Sequence, residues 1–85
     1  MPNYTVVLSK KAQKHLDKLS DNSAQPICDA IAGLEENPRP SGYKILKERD
    51  GYRIRVGNYR IIYDIYDTEL VVDIITLGHR KDIYE

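Results

Sequence analysis

The sequence predicts an α+β fold in which two N-terminal antiparallel helices pack on a small antiparallel β-sheet. Three observations predict it. Residues 10–37 hold two runs with apolar residues at helical spacing, Ala12/Leu16/Leu19 and Ile27/Ile31/Leu34. From Tyr43 onward the chain reads as strand after strand with short connections, as an antiparallel meander requires. Within that half, residues 52–66 alternate large apolar and polar side chains on either side of a two-residue Gly57-Asn58 break, the pattern of a β-hairpin. The 85 residues leave room for one small domain, 1–85, and no second core.

Each element has its own local signals. Residues 3–8 read as a strand with Tyr4, Val6 and Leu8 on one side; it is placed at a sheet edge, with its partner left open. Ser9 suits the N-cap of a helix over 10–19, whose outer face carries Lys10, Lys11, Lys14 and Lys18, with His15 at the boundary of the apolar stripe. Ser20-Asp21-Asn22-Ser23 offers several caps before a second helix over 23–37. That start puts Pro26 in the first turn, where its missing N–H has no intrahelical partner to lose. Gly33 weakens this helix by about 1 kcal/mol relative to Ala, and Cys28 is expected on it as a small buried residue. Two prolines and a glycine between Asn37 and Gly42 end it. Strands follow over 43–47, 52–56, 59–66 and 70–77, with turns at 48–51 and near Asp67-Thr68. Gly78 then permits a turn that presents His79, Arg80 and Lys81 from the end of the last strand.

Composition excludes several classes of function. A single cysteine rules out an internal disulfide and a thiolate metal cluster, and with only two histidines neither a metal nor another cofactor is expected. No apolar run is long enough to cross a bilayer and no signal peptide is evident, so a cytoplasmic protein without a membrane partner is expected. A net charge of zero argues against a surface that binds nucleic acid all over. The charge is nonetheless polarised along the chain: residues 39–60 hold seven Lys/Arg against two acids, and residues 61–77 hold four acids and no base.

The hairpin concentrates that charge. If Gly57-Asn58 is its loop, Val56 pairs with Tyr59, Arg55 with Arg60, Ile54 with Ile61 and Arg53 with Ile62. Arg53, Arg55 and Arg60 then share one face, and Tyr52, Ile54, Val56, Tyr59, Ile61 and Tyr63 form the core face. Like charges directly opposite on a strand pair destabilise it by a few tenths to about 1 kcal/mol. Two readings account for the cluster: a solvated face with acidic neighbours, or a site for an anion such as phosphate, which guanidinium groups bind in a bidentate way.

Four motifs carry a family resemblance that spans nearly the whole chain: S-K-K-A-Q-K-H-L-D-K-L, E-E-N-P-R-P, Y-R-I-R-V-G-N-Y-R-I-I-Y-D-I and G-H-R-K-D-I-Y. In this order and spacing they resemble the RelE/ParE superfamily of toxins from prokaryotic type II toxin–antitoxin systems, the RelE branch in particular. The resemblance implies a RelE-like fold and an endoribonuclease that enters the ribosomal A site. It also implies cleavage of messenger RNA without a metal, by attack of the 2′-hydroxyl on its own 3′-phosphate. The branch's basic positions correspond to Arg53, Arg55, Arg60 and Arg80, and its stacking tyrosine to Tyr84. Lys44, Lys47, Arg49 and Lys81 are the further cations expected to contact RNA under this reading. Where the branch can carry lysines this chain has Arg53 and Arg55, which stay protonated and so are poor proton acceptors. His79 is then a candidate acid or base, or else merely shapes the turn after Gly78. The resemblance implies as partners a cognate antitoxin, the ribosome and messenger RNA, and DNA only through the antitoxin complex. Two other readings stay open: a ParE-like inhibitor of DNA gyrase that is not an enzyme, and an attenuated toxin acting mainly as an antitoxin-binding corepressor.

Overall fold

The computed structural model describes residues 3–47 and 49–79. The elements run β1 (Thr5–Leu8), α1 (Lys10–Asp17), α2 (Asp21–Glu36), β2 (Lys44–Ile45), β3 (Tyr52–Val56), β4 (Tyr59–Tyr66) and β5 (Val71–His79). One five-stranded sheet forms in the order β1-β5-β4-β3-β2. The meander β2 to β5 is antiparallel, as expected, whereas β1 joins the sheet parallel to β5, Thr5 opposite Val71 through Leu8 opposite Ile74. A parallel neighbour needs a crossover, and here everything between the two strands forms it. Among the described residues no helix is long and apolar enough to cross a membrane.

The two helices cover one face of the sheet. Ser9 caps α1, its Oγ accepting from the Ala12 N–H at 3.0 Å while donating to the Ile75 carbonyl at 2.6 Å, so the cap also pins the helix to β5. The second helix is capped by Ser20 and begins two residues earlier than the sequence suggested. Of four competent caps, the first leaves Asp21 in the opening turn, where a carboxylate meets the positive end of the helix dipole. Pro26 therefore falls in the second turn and forfeits the bond its N–H would have made to the Asn22 carbonyl. Cys28 is exposed, contrary to expectation: it lies about 100° around the helix from the buried Ile27, off the Ile27/Ile31/Leu34 stripe.

That stripe and Ala12 pack on Ile54, Ile61, Tyr63, Val72, Ile74 and Leu77 of the sheet. The opposite face is not merely solvated, because Leu46 and Ile62 bury there with Ile75 against them. The strand expected over 43–47 shrinks to Lys44–Ile45, since the Leu46 N–H turns to the Gly51 carbonyl at 3.1 Å to close the loop. Gly51 has φ +138°, and a side chain there would lie 3.1 Å from Leu46 and 3.2 Å from Asp64. The last strand is longer than expected and takes in Gly78 and His79, so Gly78 is a buried strand residue and not a turn. Between Ile62 and Tyr63 the β4–β5 register shifts: Ile62 faces Thr76 and Tyr63 faces Ile74, leaving Ile75 as the extra residue of a bulge.

Candidate functional site

The hairpin has the register its sequence dictates: Arg55 faces Arg60, Ile54 faces Ile61 and Arg53 faces Ile62. Gly57, at φ +60°, supplies the left-handed residue that the two-residue loop needs. Ile54 and Ile61 belong to the core under the helices, so alternation turns Arg53, Arg55 and Arg60 to the other face. The neighbouring strands extend this face in rows. Lys44 lies beside Arg53, Ile62 and then Thr76 in one row, and Arg55, Arg60 and Gly78 form the next.

The arginines differ in exposure. Arg55 is exposed, Arg60 is half-buried, and Arg53 is only 7% exposed, sharing its face with the small apolar cluster of Ile62 and Leu46. A buried guanidinium on a well-packed strand is held in one place, which suits it to fixing an anion. Lys44, Lys47 and Arg49 are exposed. Arg49 lies apart from the arginine rows, in a cavity of about 420 Å³ that it shares with Asp50 and Asp64.

The far end of this face is acidic. Asp64 faces Asp73 across β4 and β5. Burial pushes the Asp64 carboxyl above its ordinary value, Asp73 and Asp50 add to this, and Arg49 opposes it. Arg60 and Asp64 are four residues apart on one strand, about 13 Å, so the face changes sign along its length.

His79 does not join the arginines. It lies opposite Tyr59, with the two rings edge to face at 5.6 Å and 77°, on the side of the sheet that the helices cover. Arg80, Lys81 and Tyr84 lie outside the described residues. Arg39, counted above in the basic stretch, is committed to Asp67 through contacts of 3.2 and 3.0 Å and to the Tyr52 ring at 5.3 Å. Asp67 also accepts from the Tyr4 hydroxyl at 2.7 Å, and the guanidinium first and this hydroxyl second hold its carboxyl below the usual range. Sequence reasoning passed over Thr76, which the register brings to the arginine face. Its alternation within β5 was readable, but the bulge at Ile75 hides which face it takes. Among the described residues no group of three or more His, Cys, Asp or Glu side chains is placed to hold a metal ion.

The model of the ParE toxin of type II toxin–antitoxin systems, parDE, matches residues 6–84. The chain belongs to the ParE toxin family. This toxin is 32% identical over 83 residues to the toxin RelG of Mycobacterium tuberculosis, covering 95% of each chain. It is 26% identical over 80 residues to the mRNA interferase toxin RelE of Escherichia coli, covering 92% of this chain and 84% of the relative. Among solved structures, the toxin resembles a chain of the archaeal RelE–RelB complex of Pyrococcus horikoshii with a TM-score of 0.83. The identity is 28%, and the match covers 95% of this chain and 99% of that one. These likenesses agree with the RelE/ParE resemblance carried by the sequence motifs and with its α+β fold.

Proposed function

We propose that this toxin is a ribosome-dependent endoribonuclease that cuts messenger RNA in the A site, in the cytoplasm. The observation that carries the reading is the Arg55/Arg60 cross-strand pair beside the buried Arg53, on the sheet face that the helices leave uncovered. Guanidinium groups bind phosphate oxygens in a bidentate way, so such a cluster suits an RNA phosphate. The name of the Escherichia coli relative, an mRNA interferase, supports the same reading.

In the reaction the RNA 2′-oxygen attacks the adjacent phosphorus, the bond from phosphorus to the 5′-oxygen breaks, and the products are a 2′,3′-cyclic phosphate and a 5′-hydroxyl. Negative charge gathers on the phosphoryl oxygens in the transition state, where fixed guanidinium donors stabilise it more than the ground state. These cations supply the positive charge, so the reading calls for no metal. Arginine takes no proton and His79 stands on the other side of the sheet beside Tyr59. The proton leaving the 2′-hydroxyl and the one gained by the 5′-oxygen are therefore assigned to ribosomal groups or solvent. Arg80 and Tyr84 complete the site in this reading, as phosphate clamp and base-stacking group, and Lys44, Lys47, Arg49 and Lys81 contact the RNA backbone. The partner is a cognate antitoxin that neutralises the arginine face, and contact with DNA comes only through that complex.

Mapping RNA 5′ ends after induced expression tests the proposal: cleavage within translated messages and none on naked RNA is the expected result, and growth arrest with intact messages overturns it. Arg60→Ala and Arg80→Ala should each slow cleavage by about 100-fold while the protein stays folded. Cleavage at the parent rate in both removes the proposed clamp. The match to the ParE model favours a second reading, inhibition of DNA gyrase; loss of supercoiling activity on adding the purified toxin to gyrase would select it.

A further inference from the structure

The cations and acids that solvent reaches on the arginine face lie on opposite sides of it. Its middle is closed, since Ile62, Thr76 and Gly78 are all buried. Arg55 on β3 and Lys44 on the edge strand β2 are exposed, and the chain beyond β2 brings the exposed Lys47. Asp64 on β4 and Asp73 on β5 are only half-buried and stand directly opposite each other. Both belong to the arginine face, because their neighbours along the strands, Tyr63 and Ile65, Val72 and Ile74, pack in or against the core under the helices. Next along β4 on the same face, Tyr66 is 46% exposed, so this end is open.

A phosphodiester strand is attracted to the first set and repelled by the second. Arg49 and Asp50 share a cavity with Asp64, and their opposite charges offset each other. The two facing carboxylates are therefore left to set the local sign. Lys44, Arg53 and Ile62 form one row, two residues from Asp64 along β4. Over β4, a phosphate in that row stands about 7 Å from the Asp64 position, inside the Debye length of about 8 Å at physiological salt. Over β2, two strands away, the separation grows to about 12 Å and the repulsion is largely screened.

We infer that Asp64 and Asp73 confine RNA leaving the arginine pair to the β2–β3 side of the sheet, where Lys44 and Lys47 hold its backbone, and keep it from running down β4 and β5. The inference rests on the RNA-cleaving reading above and adds a repulsive boundary to a site otherwise described by its cations.

The test measures binding of a 2′-O-methyl single strand, which lacks the attacking hydroxyl and so stays intact. Full-length parent is compared with Asp64→Asn/Asp73→Asn and with Asp17→Asn/Asp29→Asn, which removes the same charge from exposed positions on the two helices. Thermal melts show that each is folded, and parent cleavage of a translated message is scored alongside. With the boundary removed, Asp64→Asn/Asp73→Asn should bind about 3- to 10-fold more tightly than the parent at low salt, as two charges at this range imply, and the gain should shrink as salt is raised. The helix variant should bind like the parent. If the parent cleaves, the inference falls and the RNA reading stands on any of four results: Asp64→Asn/Asp73→Asn binds like the parent, its gain persists unchanged at high salt, the helix variant gains as much, or none of the three proteins binds. If the parent leaves the message intact, both fall together.

Discussion

Replacing Tyr63 by phenylalanine isolates one buried hydrogen bond that ties the helical layer to the sheet. Tyr63 is fully buried, its ring stacks on Tyr52 at 5.8 Å and 26°, and its hydroxyl donates to the Pro38 carbonyl at 2.7 Å. Burial pushes the phenol's pKa up, so the hydroxyl remains a donor across the working pH range. Tyr63→Phe keeps the ring and its packing and leaves the Pro38 carbonyl without that donor. The lost bond and the orphaned acceptor together cost about 1–3 kcal/mol. For a domain of this length each kcal/mol moves the melting temperature by about 4–8 °C, so a fall of about 4–24 °C is expected. Calorimetry gives the shift directly, and urea titration should lower the midpoint without changing the slope. Cleavage measured well below both melting temperatures should be unchanged, because the hydroxyl lies on the helix-covered face. A melting temperature within about 2 °C of the parent would refute the assignment of this bond as what holds the helix exit to β4.

Two further outcomes follow from single side chains. The Asp64 carboxyl binds its proton more tightly in the folded than in the unfolded chain, chiefly through burial; this stabilisation is complete below the unfolded pKa and is lost as pH rises through the raised folded value. Asp64→Asn should therefore raise the melting temperature at pH 7 and leave it nearly unchanged at about pH 3, and equal shifts at both would sink the argument. Cys28 is exposed on α2, so the native protein should react with a thiol reagent at one site per chain, and Cys28→Ser should melt like the parent; labelling only after denaturation counts against the exposed placement.

Sequence reasoning succeeded where the determinants are local. The register from Arg53/Ile62 to Val56/Tyr59 follows from alternation and one turn, and the structure has it residue for residue. Ser9 was readable as a cap because no rival stands beside it, whereas four candidates in a row hid the choice of Ser20. Gly78 permits a turn, but a glycine can equally sit inside a strand, as it does in β5. Long-range pairings were not legible: Arg39 with Asp67 across 28 residues, and β1 with β5. The side that His79 takes was equally hidden, since it is set by pairing with Tyr59 and not by its own neighbours. The clustering of the three arginines was local and so visible. The presence of Thr76 among them depends on a bulge, which only the paired strands reveal.

The parallel seam between β1 and β5 sets a timetable for the molecule. Thr5–Leu8 leaves the ribosome long before its partners, Val71–Ile74, are synthesised. At about 5–20 residues per second of synthesis, β1 waits several seconds before there is anything to pair with. The hairpin that carries the arginines closes over a two-residue loop and can form as soon as it emerges, whereas contacts between distant parts of the chain come late because a large loop must first be closed. The arginine pair is thus displayed early on an unfinished scaffold, and the seam that completes the sheet forms only once Val71–Ile74 has been made. Any partner already present during synthesis has that interval in which to meet the hairpin first.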